Sequence, residues 1–358
     1  MLQCYKKNNT NAREVYENQP KLFLYFVSTE IFCIFGRYIY MHKMSRFEII
    51  KCHGSGNDFI LIDTTTCNGL LGVDWSAFAR VACDRERGIG SDGLLLVVKG
   101  GDGSYGMDML NPDGTHAEMC GNGMRAVARY CRERGYIGRE GILTSGGRNF
   151  RVGEVEPVAY DIATYSVDIT ITTHGSAFAM IEAGESLVGR VIEKLDPNLK
   201  FTALNLGNPH IVSAVDKIDM ALLDSLGQRV LTLKDIFPEG VNISLYEVLA
   251  DDHIFVATYE RGAGITLSCG TAMTASATAS AMLGYTKAGK RTAVTNRGGR
   301  VFCTPRLDEQ TIVTRLEGNA TFEWWGEASF VDGEFCYTKL RDTGEQAVWQ
   351  RFVTEINA

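Results

Sequence analysis

Nowhere in these 358 residues do lysine and arginine gather into a run, and 36 basic side chains face 43 acidic ones, for a formal net charge of −7. A chain of that sign is not built to neutralise phosphates, so no nucleic-acid partner is expected. The ten cysteines, at positions 4, 33, 52, 67, 83, 120, 131, 269, 303 and 336, form no CxxC pair. That argues against a zinc cage, and no other metal-ligand spacing is present. A disulfide scaffold is out of place in a chain this long that is 45% hydrophobic, so reduced thiols and a cytoplasmic location are expected. No Walker loop and no Gly-x-Ser-x-Gly elbow occurs. Long apolar runs are missing too. The nearest, Leu22 to Gly36, is interrupted by Glu30 and falls short of the roughly 20 residues a membrane span needs. It lacks a small-residue cleavage site, and residues 1–44 read as a dispensable extension or an upstream start rather than a peripheral membrane anchor, with Met41 and Met44 just before the first orderly strand pattern.

One pattern invites a cofactor and is rejected. Gly88-Ile-Gly90-Ser-Asp-Gly93 matches G-x-G-x-x-G. A dinucleotide fingerprint needs a strand before it and a helix after it; here the charged stretch Asp84-Arg85-Glu86-Arg87 precedes it and a strand pattern follows.

Short strand-like runs then alternate with glycine-rich turns. Phe47 to Lys51, Leu94 to Val98, Met107 to Leu110 and Ile254 to Tyr259 read as strands, and Val73 to Cys83 as an amphipathic helix. A second helix is predicted from Gly121, with Met124, Val127, Ala128 and Cys131 on one face, ending at Gly135. A third runs from near Gly270 to near Gly284. It is built largely of Ala, Ser, Thr and Met, a composition suited to a helix enclosed on every side.

The chain also repeats itself. Cys120-Gly-Asn-Gly-Met stands 149 positions before Cys269-Gly-Thr-Ala-Met, and Gly56-Asn57 stands 151 before Gly207-Asn208. Asn111 lies nine residues before Cys120, and Glu260 nine before Cys269. Three landmarks at one nearly constant offset predict two similar halves, each placing a cysteine at the start of a central helix, with a site in the cleft between them.

A helix N-terminus offers unpaired N–H groups and partial positive charge. It can hold a carboxylate, and it is expected to bring a cysteine's pKa down toward neutrality. Two such ends facing each other would set one sulfur on either side of an amino acid's α-carbon. One removes the α-proton as thiolate; the other returns a proton to the opposite face. Asn57, Asn111, Asn122, Asn208 and Asn242 lie in turn-like contexts where an amide can project, although a lone turn Asn usually serves backbone geometry. Glu260-Arg261 reads either as a surface ion pair or as a guanidinium for a carboxylate with a glutamate near a thiol. His210 reads as a core histidine or as a group sharing a proton with a sulfur.

Taken together, His53-Gly-Ser-Gly-Asn57-Asp-Phe, Asn111-Pro-Asp-Gly, Met119-Cys120-Gly-Asn-Gly-Met-Arg125, Gly207-Asn-Pro-His210 and Glu260-Arg-Gly-Ala-Gly-Ile-Thr-Leu-Ser-Cys269-Gly-Thr resemble the diaminopimelate epimerase family, in order and spacing, from about Phe47 to about Phe330. Proline racemases, on the same fold, carry His where Asn122 stands. Leu195-Asp-Pro-Asn-Leu-Lys-Phe and Leu226-Gly-Gln-Arg are similar to the longer Gram-positive forms. The resemblance implies an isomerase interconverting LL- and meso-2,6-diaminopimelate, on the route to lysine and peptidoglycan, with no pyridoxal phosphate or metal, commonly as a homodimer. It implies an α/β (α+β) fold of two pseudo-symmetric domains, each a curved mixed sheet around a central helix. The expected divisions are an extension over 1–44, a first domain of 45–172 with 318–335, a second of 173–317, and a tail of 336–358. By position, Cys120 and Cys269 would be base and acid, with His210 and Glu260 modulating their pKa values. Asn57, Asn111, Gly121, Asn122, Asn208, Asn242, Glu260, Arg261, Gly270 and Thr271 would contact substrate.

Two departures stand out. Gly93 replaces a Gln that some members use, and Ala272 replaces the usual glycine of Cys-Gly-Thr-Gly; inside a helix that alanine is harmless. The alternative activities are a racemase of the same fold acting on another amino acid such as histidine, which would not need the polar distal partners, and a non-catalytic binding protein or thiol sensor, which would not need both cysteines.

Overall fold

The structure is a computed structural model describing residues 46–66, 72–117, 119–182, 185–308 and 311–357; the extension expected over 1–44 lies outside them. The first half runs β1 (Phe47–Gly54), β2 (Asn57–Asp63), α1 (Trp75–Ala82), β3 (Gly93–Lys99), β4 (Tyr105–Leu110), β5 (His116–Ala117), α2 (Gly121–Glu133), β6 (Glu140–Ser145), β7 (Arg148–Val155) and β8 (Thr164–Ile171). After the short β9 (Arg190–Ile192), the second runs β10 (Asp196–Asn205), β11 (Pro209–Ala214), α3 (Met220–Thr232), β12 (Asn242–Ala250), β13 (His253–Glu260), β14 (Gly264–Thr266), α4 (Gly270–Met282), β15 (Thr292–Asn296), β16 (Gly299–Leu307) and β17 (Ile312–Asn319). The chain closes with β18 (Thr321–Val331), β19 (Glu334–Asp342) and α5 (Glu345–Ile356).

The halves match pairing for pairing. β1 with β2 and β10 with β11 are antiparallel; β2 with β3 and β11 with β12 are parallel. β4 with β6 and β13 with β15 are again parallel, each spanning a central helix, and two antiparallel pairings follow in both. β17 joins the halves, pairing with β8 from Ile312↔Ile171 to Asn319↔Thr164 and with β16 on its other edge. The repeat inferred from 149- and 151-residue offsets is therefore a repeat of topology.

The two central helices begin alike. Cys120 (φ −138°, ψ 114°) and Cys269 (φ −129°, ψ 110°) are both extended N-caps. Both helices end as expected, with Gly135 and Gly284 left-handed just beyond the C-cap, at φ 74° and 77°. From Gly270 to Ala281 every α4 residue is buried. Its hydroxyls turn inward on the helix, Thr274 Oγ1 donating to the Gly270 carbonyl at 2.8 Å and Thr278 Oγ1 to that of Thr274 at 2.7 Å. The small side chains let strands close in on all sides. Met124 and Val127 of α2 share one apolar core with Ala275 and Ala277 of α4. α1 and α3 pack outside it in separate clusters.

Residues 336–358, set apart in sequence as a tail, form most of β19 and all of α5. Glu345 receives Arg129 Nη1 and Nη2 at 2.6 and 2.7 Å. Trp349 packs tilted against the His53 ring, centroids 5.5 Å apart, and fills the space where a Cβ on Gly299 would sit, 2.8 Å from its Cζ2. The helix thus rests on β1 of the first half and on β16 of the second. Trp349→Ala should cost about 3 kcal/mol of stability, read as a lowered midpoint in urea unfolding; an unchanged midpoint would show that α5 docks without this anchor.

Candidate active site

The site is built where the two helix starts meet. A Cβ on Gly270 would lie 2.8 Å from Asn122 Oδ1, so the first turn of α4 abuts that of α2 and tolerates only hydrogen there. The charge of the Glu260 carboxylate, at the end of β13, acts on Cys269 and also on Cys120, raising both. One carboxylate therefore addresses both sulfurs.

On the first side, Gly54-Ser55-Gly56-Asn57 is a two-residue hairpin with both central residues left-handed, φ 55° at Ser55 and 81° at Gly56. It places Asn57 at the mouth of β2. Asn57 Oδ1 accepts from the Cys120 thiol at 3.7 Å and from Asn122 Nδ2 at 3.2 Å, while its own Nδ2 donates to Asp92 Oδ2 at 2.8 Å. The Gly123 N–H donates to Cys120 Sγ at 3.5 Å. Asn122 Oδ1 is buried without a partner, an acceptor open toward the α4 start.

On the second side, Thr271 Oγ1 lies 3.5 Å from Cys269 Sγ, 3.0 Å from His210 Nε2 and 3.2 Å from Asn208 Nδ2. Asn242 Oδ1 accepts the Arg261 backbone N–H at 2.9 Å, and its Nδ2 reaches His210 Nε2 at 3.5 Å. Glu260 Oε1 accepts from Thr266 Oγ1 at 2.6 Å. Asn57, Asn122, Asn208, His210, Asn242, Glu260, Gly270 and Thr271 are thus brought to the thiols. Gly121 is the first residue of α2 and adjoins Cys120. Arg261 is exposed and donates to the Glu239 carbonyl at 2.9 Å; the ion pair with Glu260 considered from sequence is not formed. Asn111 stays in its own turn, Nδ2 donating to Thr115 Oγ1 at 3.0 Å, and nothing ties it to a thiol.

The expectation that both helix starts lower the thiol pKa values is overturned. Burial pushes Cys120 up, and the Gly123 and Asn122 N–H groups only partly offset it. Burial pushes Cys269 up as well, aided by the Glu260 charge, against bonds from Thr271 and the Ala272 N–H. Removing water from a sulfur penalises its anion more than a half-charge from the helix end repays. Both cysteines are therefore thiols at neutral pH. His210 is pushed down to about 3 by burial and by the Arg261 charge, and His53 down to about 4 by burial against its bond to Gln346. Both rings are neutral.

Several supporting groups were not singled out in sequence. Asp92 lies inside the rejected glycine-rich segment, whose N–H groups from Gly88 to Asp92 are all spent on carbonyls of residues 58 and 82–84, leaving none for a phosphate. Its neighbour Asp58, although burial raises it, is held well below the usual carboxylate range by Arg85 and Lys51. Gly93 has no room for a side chain, its Cβ position lying 2.9 Å from the Leu110 carbonyl oxygen. Ala272 is helical and buried without strain, as expected. Among the described residues no cluster of three His, Cys, Asp or Glu side chains could hold a metal ion.

Comparison with known proteins places this geometry in context. A family model described as Diaminopimelate epimerase matches residues 49–164 and 202–323. The diaminopimelate epimerase of Listeria innocua is 37% identical over 325 residues, 87% of this chain and 98% of that protein. That of Enterococcus faecalis is 34% identical over 319 residues, 86% and 98% of the two chains. Among solved structures, a Bacillus anthracis phenazine biosynthesis protein of the PhzF family superposes with a TM-score of 0.56 at 14% identity, covering 79% of this chain and 99% of that one. A hydroxyproline epimerase from Agrobacterium vitis does so at 0.54 and 14%, covering 80% and 93%. Those two likenesses establish the fold.

The buried neutral histidines set a pH dependence. In the unfolded chain both take up protons near 6.5; folded, they do not until about pH 4 and 3. Below 6.5 the unfolded state therefore binds more protons, and stability must fall as pH falls. Melting temperature should decline between pH 7 and 5, less steeply in His53→Gln; a flat profile in the parent chain would contradict neutral burial.

Proposed function

The chain belongs to the diaminopimelate epimerase family, and we propose that it interconverts LL- and meso-2,6-diaminopimelate by a two-thiol mechanism. The observation that carries this reading is the pair of cysteine N-caps of matching conformation on abutting helices, both within reach of Glu260. The relatives of this name, matched over nearly their whole length, support the substrate.

In this reading the α-carboxylate is held by N–H groups at the starts of α2 and α4, including those of Gly121, Gly270 and Thr271. The substrate's ammonium group adds its positive charge to those N–H groups, and Cys120 ionises, releasing its proton to bulk water as the ligand binds. Its thiolate takes the α-hydrogen as a proton, the electron pair stays on the α-carbon and its carboxylate, and the Cys269 thiol delivers its own proton to the opposite face. The reverse isomer exchanges the two roles. Glu260 and His210, the latter through Thr271, set how readily Cys269 gives and regains its proton. Asn57, Asn111, Asn122, Asn208, Asn242 and Arg261 meet the polar groups of a ligand with an amino-carboxylate at each end, which a simple apolar or imidazole side chain would not require.

This chemistry calls for no pyridoxal phosphate and no metal. We assign the enzyme to the cytoplasm, which the free thiols at positions 52, 83, 120, 131, 269 and 303 support, and to a homodimer, as the family resemblance implies. Among the described residues no helix is long and apolar enough to cross a membrane. The domains are assigned as 45–172 with 318–335, and 173–317.

Incubated with LL-diaminopimelate in deuterated buffer under reducing conditions, the protein should place deuterium at one α-carbon; absence of exchange would reject the reaction. Cys120→Ala and Cys269→Ala should each lower epimerisation by about 10²- to 10⁴-fold, and near-full activity in either would reject the two-thiol assignment. Deleting residues 1–43 should leave the rate unchanged.

A further inference from the structure

Arg125 is the largest fully buried side chain among the described residues, with 0% of its surface exposed, and no carboxylate of those residues pairs with it. Its Nε donates to the Asn319 carbonyl at 3.2 Å, Nη1 to the Gly121 carbonyl at 3.3 Å and Nη2 to Ser55 Oγ at 3.3 Å, all neutral acceptors. A cation taken out of water without a counter-charge is costly, and folded proteins rarely retain one without a use. The nearby Arg129, one helical turn further on, shows the ordinary solution: it pairs with Glu133 and Glu345.

The slot around Arg125 is cut to the guanidinium. A Cβ on Gly318 would fall 2.9 to 3.0 Å from Nη2, Cζ and Nε, and one on Gly54 would fall 2.8 Å from Nη2. Neither glycine has a positive φ, so each is there for room. Two strands have given up their side chains to seat a charge under the first turn of α2. The groups whose charges act on it are thiols, Cys120 on its own helix and Cys303 from β16. His53 from β1 also feels it and is neutral, while the Glu260 charge from β13 acts on Cys120 with opposite sign.

We propose that Arg125 is the positioning residue for Cys120: a buried positive charge left without a carboxylate so that the Cys120 thiolate becomes its counter-ion during the reaction. The proposal rests on the two-thiol reading and gives its halves different machinery, since α4 carries Ala275 and Thr274 where α2 carries Ala126 and Arg125. Cys269 is addressed by Glu260, Thr271 and His210, whereas Cys120 has a cation. When Cys120 takes the α-proton, the negative charge leaves the sulfur for the substrate, and Arg125 returns to its three neutral acceptors.

The test follows the ionisation of Cys120 rather than turnover. In a Cys269→Ala background, the rate of Cys120 alkylation by iodoacetamide, read by peptide mass mapping, is measured against pH. Arg125→Met should raise the midpoint by about one unit or more, and Arg125→Lys should restore much of the shift. A Met variant with native circular dichroism and an unmoved midpoint would overturn the proposal, leaving Arg125 as an anchor for the Ser55 turn. Should the Met variant fail to fold, the chain with Arg125 intact decides. Its Arg125 ¹⁵Nε resonance should move with the Cys120 midpoint and stay still when Cys120→Ala is added; a resonance that ignores the Cys120 titration would overturn it. Because alkylation needs no epimerisation, a shifted midpoint in a protein inactive on diaminopimelate would sink the substrate and keep Arg125's role.

Discussion

A sulfur placed under the first turn of a buried helix feels two opposed forces, and the balance between them governs this site. Helix-end N–H groups favour the thiolate; loss of water favours the thiol. Burial wins at both cysteines, so both sulfurs stand as thiols. Reactivity must then be supplied by charge that arrives with the ligand or is stationed beside the sulfur. Glu260 opposes ionisation at both thiols, which keeps the resting site protonated, and the amides of Asn57 and Thr271's hydroxyl hold the two S–H groups in place. Such an arrangement limits the lifetime of a reactive thiolate to the interval in which substrate is bound.

That balance can be struck twice because the fold is built twice. The same order of antiparallel and parallel pairings carries Asn57 and Asn208 to the edge of one helix start each, and Cys120 and Cys269 to the caps themselves. Gly270 at the start of α4 then lets the two starts come together, its Cβ position lying 2.8 Å from Asn122 Oδ1, while Gly123 lets α2 close on β3, its Cβ position 2.7 Å from Leu95 Cδ2. Duplication supplies the symmetry that inversion at carbon needs, while divergence within the copies gives each sulfur its own supporting charges.

Much of this was legible in the linear chain, for a physical reason. Helix ends, turn glycines and repeated offsets are local signals, so both central helices fall where glycine and apolar spacing put them, and Asn57 and Thr271 lie against Cys120 and Cys269. The thiol pKa values were not legible, because burial is a property of the assembled core and reverses the sign expected from the helix end alone. Arg125 sat inside a quoted motif without its role showing, since its slot is made by Gly54 and Gly318, glycines that look like turn or strand residues until the strands are laid side by side. Asp92 was hidden by the dinucleotide-like letters around it. The helix α5 was hidden as well: its grip on His53 and Gly299 through Trp349 joins residues about fifty to three hundred positions away.

The central claim is geometric, that two sulfurs flank one carbon. A crystal structure of the chain holding an unreactive analogue of diaminopimelate measures it directly. The account predicts Cys120 Sγ and Cys269 Sγ on opposite faces of the α-carbon, each at about 3 to 3.5 Å, with the carboxylate on the N–H groups of α2 and α4. Both sulfurs on one face, or either one out of reach of that carbon in the closed complex, would contradict it.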